Sequence, residues 1–446
     1  MSGNFQLIFV VTTFVVVIGL IAFDLVDLSL AAMGGVILCY LAGVLEDEDI
    51  LATIEHGGGT IALLFGGMVV ARVLVPTGIF EWLGERLILF SGGSGRRLAI
   101  GMVLLTAPLC AILPNATVVL LLAPVIIRAA LALKIRFVPL IIVLATVSNA
   151  SGLLTLIGDP ATFIVGSSID MSFGKYLQVV SLGGLLTVLV IFPLMPWLLK
   201  DAWHTRQPAI TERKAHISQP GFAFLALAAF VVMAALFVLG EHLPHRIDPP
   251  AVAILAATLM LLIVYSLRIE PVERVLADVD WRTLIFIFSM LLMVRALVRT
   301  GALTTIASLM ASVFGTHTTA AAMGLLAGVG LLSAFLANTP VVVALVVVAK
   351  GYLVEVGFVP DAALSARGSD WPDATLPVFM GMMFGATLGG NATLIGASAN
   401  VVASGISARH GEPLSFGRFA RIGTPIALTQ LAVGAVYVLL RVWATR

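Results

Sequence analysis

Asn149-Ala150-Ser151-Gly152-Leu153-Leu154-Thr155-Leu156-Ile157-Gly158-Asp159-Pro160 decides how this chain folds, because its core recurs as Thr393-Leu394-Ile395-Gly396 behind Gly389-Gly390-Asn391-Ala392. Both copies lie deep in apolar sequence. Glycine tolerates backbone angles that a helix forbids and Pro160 removes a donor, so each copy predicts a helix that unwinds midway. Unwound backbone at membrane depth persists only where protein buries it or water reaches it. A matched pair of such breaks in two halves of one chain points to a solute site at the centre of a transporter.

Composition supplies the membrane. Of 446 residues, 60% are hydrophobic and 11% charged, against roughly half and a quarter in soluble domains, and the mean hydropathy is +1.10. A formal net charge of +1 argues against a nucleic-acid partner. No long polar stretch offers room for a soluble catalytic domain, and the spans hold no His and no paired carboxylates from which a membrane enzyme would be built. Cys39 and Cys110, both in apolar segments, provide neither a disulfide framework nor a metal site.

Apolar runs predict spans near 7–23, 29–45, 59–76, 137–165, 177–199, 220–240, 249–266, 283–299, 375–404 and 423–443. With no basic residue before it, the first reads as a retained span rather than a signal peptide. Two further stretches, 98–133 and 320–350, are interrupted at Pro114-Asn115-Ala116-Thr117 and at Asn338-Thr339-Pro340, and each reads as two half-length helices meeting in a tip. The expected architecture is an all-α polytopic membrane protein of about 10 transmembrane helices, two re-entrant hairpins and two broken helices.

The halves align. Thr283, Arg295, Thr300-Gly301 and Asn338 stand 223 residues after Thr60, Arg72, Thr77-Gly78 and Asn115, and Thr393 stands 238 after Thr155, which places a 15-residue insertion in the 351–374 loop. This predicts a first repeat at 1–200 (scaffold spans 7–76, transport elements 98–199), a cytoplasmic linker at 201–219 and a second repeat at 220–446 (scaffold spans 220–299, transport elements 320–443). Arg96 and Arg97 before the first hairpin, and Lys134 and Arg136 after it, favour the cytoplasm at both its ends. Carried along the chain, the alternation inverts the repeats and puts both termini outside.

The residues that this pattern offers to a solute are Asn115, Thr117, Asn149, Ser151, Thr155, Asn338, Thr339, Asn391, Thr393, Ser398 and Asn400: neutral oxygens and amides at two tips and two breaks. Asp159 is the one carboxylate inside a break, and the matching position is Ala397. A carboxylate at such depth is protonated, paired or turned to a cavity, which suits an exchangeable proton or a bound cation. It equally suits an N-cap, since Asp-Pro commonly opens a helix. Arg72 and Arg295 read either as cations reaching the interface or as holders of a hairpin. Cys110 reads as a core residue or as a ligand for a soft metalloid.

The stretch from Asn149 to Pro160, together with Asn115, Thr117 and Pro124, resembles the arsenite/antimonite efflux permease and sodium/proton antiporter branch of the ion-transporter superfamily. Ser151, Leu153 and Thr162 depart from the pattern, standing where the family has Gly, Thr and Asn. The resemblance implies inverted repeats whose hairpins and broken spans move together as an elevator in a plasma (inner) membrane. It implies efflux of arsenite or antimonite in exchange for protons, no cofactor, a homodimer and an arsenite-stimulated cytoplasmic ATPase as partner. Sodium/proton antiport is the second expectation, and sodium-coupled dicarboxylate transport the third.

Overall fold

The computed structural model describes residues 3–22, 25–207, 217, 219–240, 243–360 and 371–444. Most of the linker, with Arg213 and Lys214, and part of the 351–374 insertion lie outside them. The described residues are almost wholly helical, with no strand beyond an isolated bridge between Ser94 and Arg206. Among the described residues, nine helices are long and apolar enough to cross a membrane.

The first half runs α1 (Gly3–Ala22), α2 (Leu28–Leu41), α3 (Asp47–Leu74), α4 (Ile79–Ser91), α5 (Gly95–Cys110), α6 (Asn115–Ala132), α7 (Val138–Ser151), α8 (Pro160–Ser168) and α9 (Phe173–Leu198). The second runs α10 (Pro220–Leu239), α11 (Pro249–Ser266), α12 (Trp281–Arg299), α13 (Ala302–Phe314), α14 (Thr318–Phe335), α15 (Asn338–Glu355), α16 (Leu376–Gly389), α17 (Ser398–Arg409) and α18 (Phe416–Ala444). Both ends of α13 and α15 fall 223 residues after those of α4 and α6, and both ends of α16 fall 238 after those of α7. Gly78 and Gly301, at φ 75° and 71°, turn the chain through the left-handed region into α4 and α13. Only glycine takes that region without strain, which is why the Thr-Gly pair marks both copies.

α4 and α13 have no counterpart among the expected spans. At 13 residues each they rise about 20 Å, short of a bilayer's apolar core. Leu89 and Phe90, like Leu309 and Val313, lie exposed on them. The hairpin limbs also differ from expectation: they hold 16, 18, 18 and 18 residues rather than half a span.

Two packing relations position the centre. α3 lies against α11 and α12, tying the halves together at one side of the molecule. The halves also cross over: α6 of the first hairpin packs on α17, and α15 of the second packs on α8. The arginines at the span ends hold no hairpin; they pair across the halves. Arg72 grips Glu270 through two 3.0 Å bonds and Asp278 at 2.6 Å. In return Arg295 and Arg299, from the second half, hold Asp49 at 3.2 and 2.6 Å. Each half supplies the counter-ions of the other.

Candidate functional site

Each break is shaped by the glycines that announced it. After α7 the chain makes one tight turn at Gly152–Leu154 and then extends at Thr155, φ −139° and ψ 159°; after α16 it does the same at Gly390–Ala392 and Thr393, φ −133° and ψ 166°. A Cβ on Gly158 would stand 2.7 Å from the Gly152 carbonyl oxygen and 2.9 Å from that of Cys110. On Gly396 it would stand 2.7 Å from the carbonyl oxygen of Ser333, the residue equivalent to Cys110. The threonines lock the same junctions, Thr155 donating to the Ala111 carbonyl and Thr393 to that of Ala334. So the recurring Thr-Leu-Ile-Gly seats each break against the end of the neighbouring hairpin's first limb.

Both tips and the first break meet around Gly152. A Cβ there would lie 2.8 Å from the Asp159 Cβ and 3.1 Å from the Asn115 Nδ2. From the other side Asn338, opening α15, donates its Nδ2 to Asp159 Oδ2 at 3.0 Å and Oδ1 at 3.3 Å, and Thr387 of α16 donates to Oδ2 at 3.2 Å. Asp159 is 3% exposed. No Lys, Arg or His joins it among the described residues. Its carboxylate faces the Ala161 amide at the start of α8 without a full capping bond, so beside the N-cap reading stands a tie between the first break and the second tip. Asn115 is also buried, but its Oδ1 has no donor. Thr117, Asn338 and Thr339 are half-buried beside these groups on their tips, and Ser398 is exposed where α17 begins.

Four of the residues expected to bind solute are committed elsewhere. Asn149 Nδ2 donates to Asn391 Oδ1 at 2.9 Å and to Asn400 Oδ1 at 3.0 Å. Asn391 Nδ2 reaches the Thr146 carbonyl and Gln430 Oε1, at 3.1 and 2.8 Å, and Asn400 Nδ2 reaches the carbonyls of Gly390 and Thr393, both at 2.8 Å. Ser151 bonds back to Val147 of its own helix. Buried amides bonded in this way tie neighbouring elements together. Thr155 and Thr393, spent on hairpin carbonyls, belong with them. Cys110, with Sγ 3.1 Å from Ser148 Oγ, sits in the core.

Two members of this machinery carry no signal in the expected set. Gln430 is the single carboxamide of the 29-residue α18, fully buried, and its Nε2 donates to the Thr187 carbonyl at 3.0 Å. Thr387 sits in an apolar helix, and only the Asn149 that it matches at 238 residues' remove hints at its role.

Known proteins agree with the membrane reading. Residues 18–368 match the model of the citrate transporter family. The chain is 41% identical over 440 residues to an uncharacterized transporter of Synechocystis sp., covering 98% of each. It is 30% identical over 446 residues to an uncharacterized transporter of Mycobacterium tuberculosis, covering 97% of this chain and 98% of the relative. In structure it resembles the YdaH transporter of Alcanivorax borkumensis, with a TM-score of 0.63 over 90% of both chains at 13% identity.

Proposed function

Since this chain belongs to the citrate transporter family, we propose that it is a secondary active transporter that carries a small solute in exchange for protons, with arsenite or antimonite efflux the activity its site favours. One observation carries the reading: a lone, enclosed carboxylate, Asp159, ties the first break to the second hairpin tip with no cation beside it. Ionised, it accepts charge-assisted bonds from both Asn338 and Thr387; protonated, it keeps only neutral ones, and its hold on the tip weakens. Proton binding and tip position are thereby one equilibrium. The hairpins and broken spans, within 98–199 and 320–443, form the unit that moves. The spans within 7–76 and 220–299, held by the reciprocal arginine pairs, form the scaffold, and the two repeats are inverted across the membrane in an elevator arrangement.

Arsenous acid is neutral near pH 7 and asks for hydroxyl and amide partners without fixed countercharge, which Asn115, Thr117, Asn338, Thr339 and Ser398 offer. Sodium/proton antiport is favoured by a separate observation, the donorless Asn115 Oδ1, since a carbonyl oxygen is a hard-cation ligand. Citrate is favoured by the family's description, and in a site without basic groups it would enter protonated or with a cation. Uptake of labelled arsenite, sodium and citrate into proteoliposomes, each with and without a pH gradient, tests the reading. Arsenite accumulation driven by the gradient is expected. Movement of sodium or citrate alone transfers the proposal to that solute, and gradient-independent flux of all three removes the proton.

A further inference from the structure

The two breaks share a backbone course and differ in their chemistry. Asp159 and Ala397 share a backbone conformation, φ −140° and ψ 135° against −151° and 148°, and each precedes the half-helix of its own break. The flanking threonines and glycines make equivalent contacts in both copies. Yet the first position bears a carboxylate that engages Asn338, and the second bears a methyl group. Asn115, the counterpart of Asn338, has no carboxylate to donate to in the second break, and its Oδ1 is buried without a donor. Asn149, the counterpart of Thr387, is bound instead to Asn391 and Asn400, in a network of carboxamides that cannot titrate. The same loss recurs nearby. Ser333 Oγ is buried without a partner, and where its counterpart Cys110 meets Ser148, the second half has Ala386.

We propose that coupling is carried by the first repeat alone, through Asp159, and that Ala397 is the residue that sets it at one proton per cycle. The inference rests on the exchange mechanism proposed above and deepens it. A proton binds the Asp159 carboxylate from one side of the membrane and leaves it to the other, and the second break passes through the cycle without gaining or losing one. Three other titratable groups face this stretch. The Cys110 thiol meets Ser148 Oγ at 3.1 Å, Tyr176 donates its hydroxyl to the Leu153 carbonyl at 3.1 Å, and Lys350 donates to the Ser168 carbonyl at 2.9 Å at the far end of α8. None of the three lies at the second break. A carboxylate at 397 would be met by Asn115 Nδ2, which takes the place of the unpartnered Oδ1 when the amide turns over.

The test is proton stoichiometry in proteoliposomes, with potassium and valinomycin holding the voltage at zero and arsenite, sodium and citrate as probes. Each proton exchanged multiplies the steady-state gradient of a probe tenfold per pH unit. Relative to the parent, Asp159→Asn is expected to lose about one factor of ten and Ala397→Asp to gain one. The double variant should return to the parent's ratio, coupling having moved to the other half, while Ala397→Asn, similar in size but not titrating, should leave the ratio unchanged. Size-exclusion profiles establish folding. A folded Ala397→Asp that matches Ala397→Asn, with an uncoupled double variant, overturns the inference alone. Should Ala397→Asp not fold, the parent still decides, because a hundredfold gradient per pH unit in the parent, with a tenfold one left in Asp159→Asn, means more than one proton. An undiminished pH response in Asp159→Asn, or no movement of any probe, overturns the exchange mechanism and this inference with it.

Discussion

Replacing Asn391 by Ala separates the amides that bind the molecule together from those that face the solute. The side chain is fully buried and makes three hydrogen bonds, with Asn149 Nδ2, the Thr146 carbonyl and Gln430 Oε1. At about 1 kcal/mol net for each bond, and with Gln430 Oε1 left donorless, the loss is about 3–4 kcal/mol. For a chain of this size that is a fall of roughly 6–8 °C in Tm, at about 2 °C per kcal/mol. Thermal unfolding of the purified protein in detergent measures it, and proteoliposomes made from the fraction that stays folded give KM. The expected result is a lower Tm with KM within about twofold of the parent. Asn338→Ala should do the reverse, because its amide is half-buried and ends on Asp159: little change in Tm and loss of transport. An Asn391→Ala protein that melts with the parent while its KM rises would refute the assignment and place Asn391 at the solute.

Asp159→Asn is expected to stay folded, since one amide oxygen can accept from both Asn338 and Thr387 in place of Oδ2; it should retain solute exchange at equal pH and lose gradient-driven flux, both read from labelled-solute counterflow. Gly158→Ala and Gly396→Ala should each lower the yield of folded protein, because the methyl group would sit 2.7 Å from a carbonyl oxygen, an overpacking cost of about 1–3 kcal/mol; equal yields of folded protein by fluorescence-detected size exclusion would contradict this. Arg72→Ala should cost about 3 kcal/mol by leaving the Glu270 carboxylate unanswered, and adding Glu270→Gln should restore part of that stability in the same melting assay.

Period and composition made most of the architecture legible, because a span must be apolar for about 20 residues and a break within one must be polar or glycine-rich. The two copies of Thr-Leu-Ile-Gly located both breaks, and Asn115 and Asn338 both tips. α4 and α13 escaped this reading because a 13-residue amphipathic helix has no bilayer to match. Within the site, sequence named the polar residues but not their partners. Asn149, Asn391 and Asn400 are as polar as Asn115 and Asn338; what separates them is which face of a neighbouring helix they meet, a tertiary property. Gln430 was invisible for the same reason: a single amide in an apolar helix gains meaning only once Asn391 lies 2.8 Å away.

The crossed arginine pairs also impose an order on the protein's own synthesis. Arg72 lies within the apolar segment Gly57–Thr77, and its partners Glu270 and Asp278 follow it by 198 and 206 residues. At about 5–20 residues per second, that guanidinium waits roughly 10–40 s for its carboxylates. Asp49 waits as well, for Arg295 and Arg299, which follow it by 246 and 250 residues. Through that interval the first half holds an unanswered cation toward one end of α3 and an unanswered anion at the other, so it cannot settle into its final packing before the second half arrives. Whatever shelters the nascent chain must therefore hold the nine helices of the first half loosely, and the scaffold closes as a single late event when α12 is delivered.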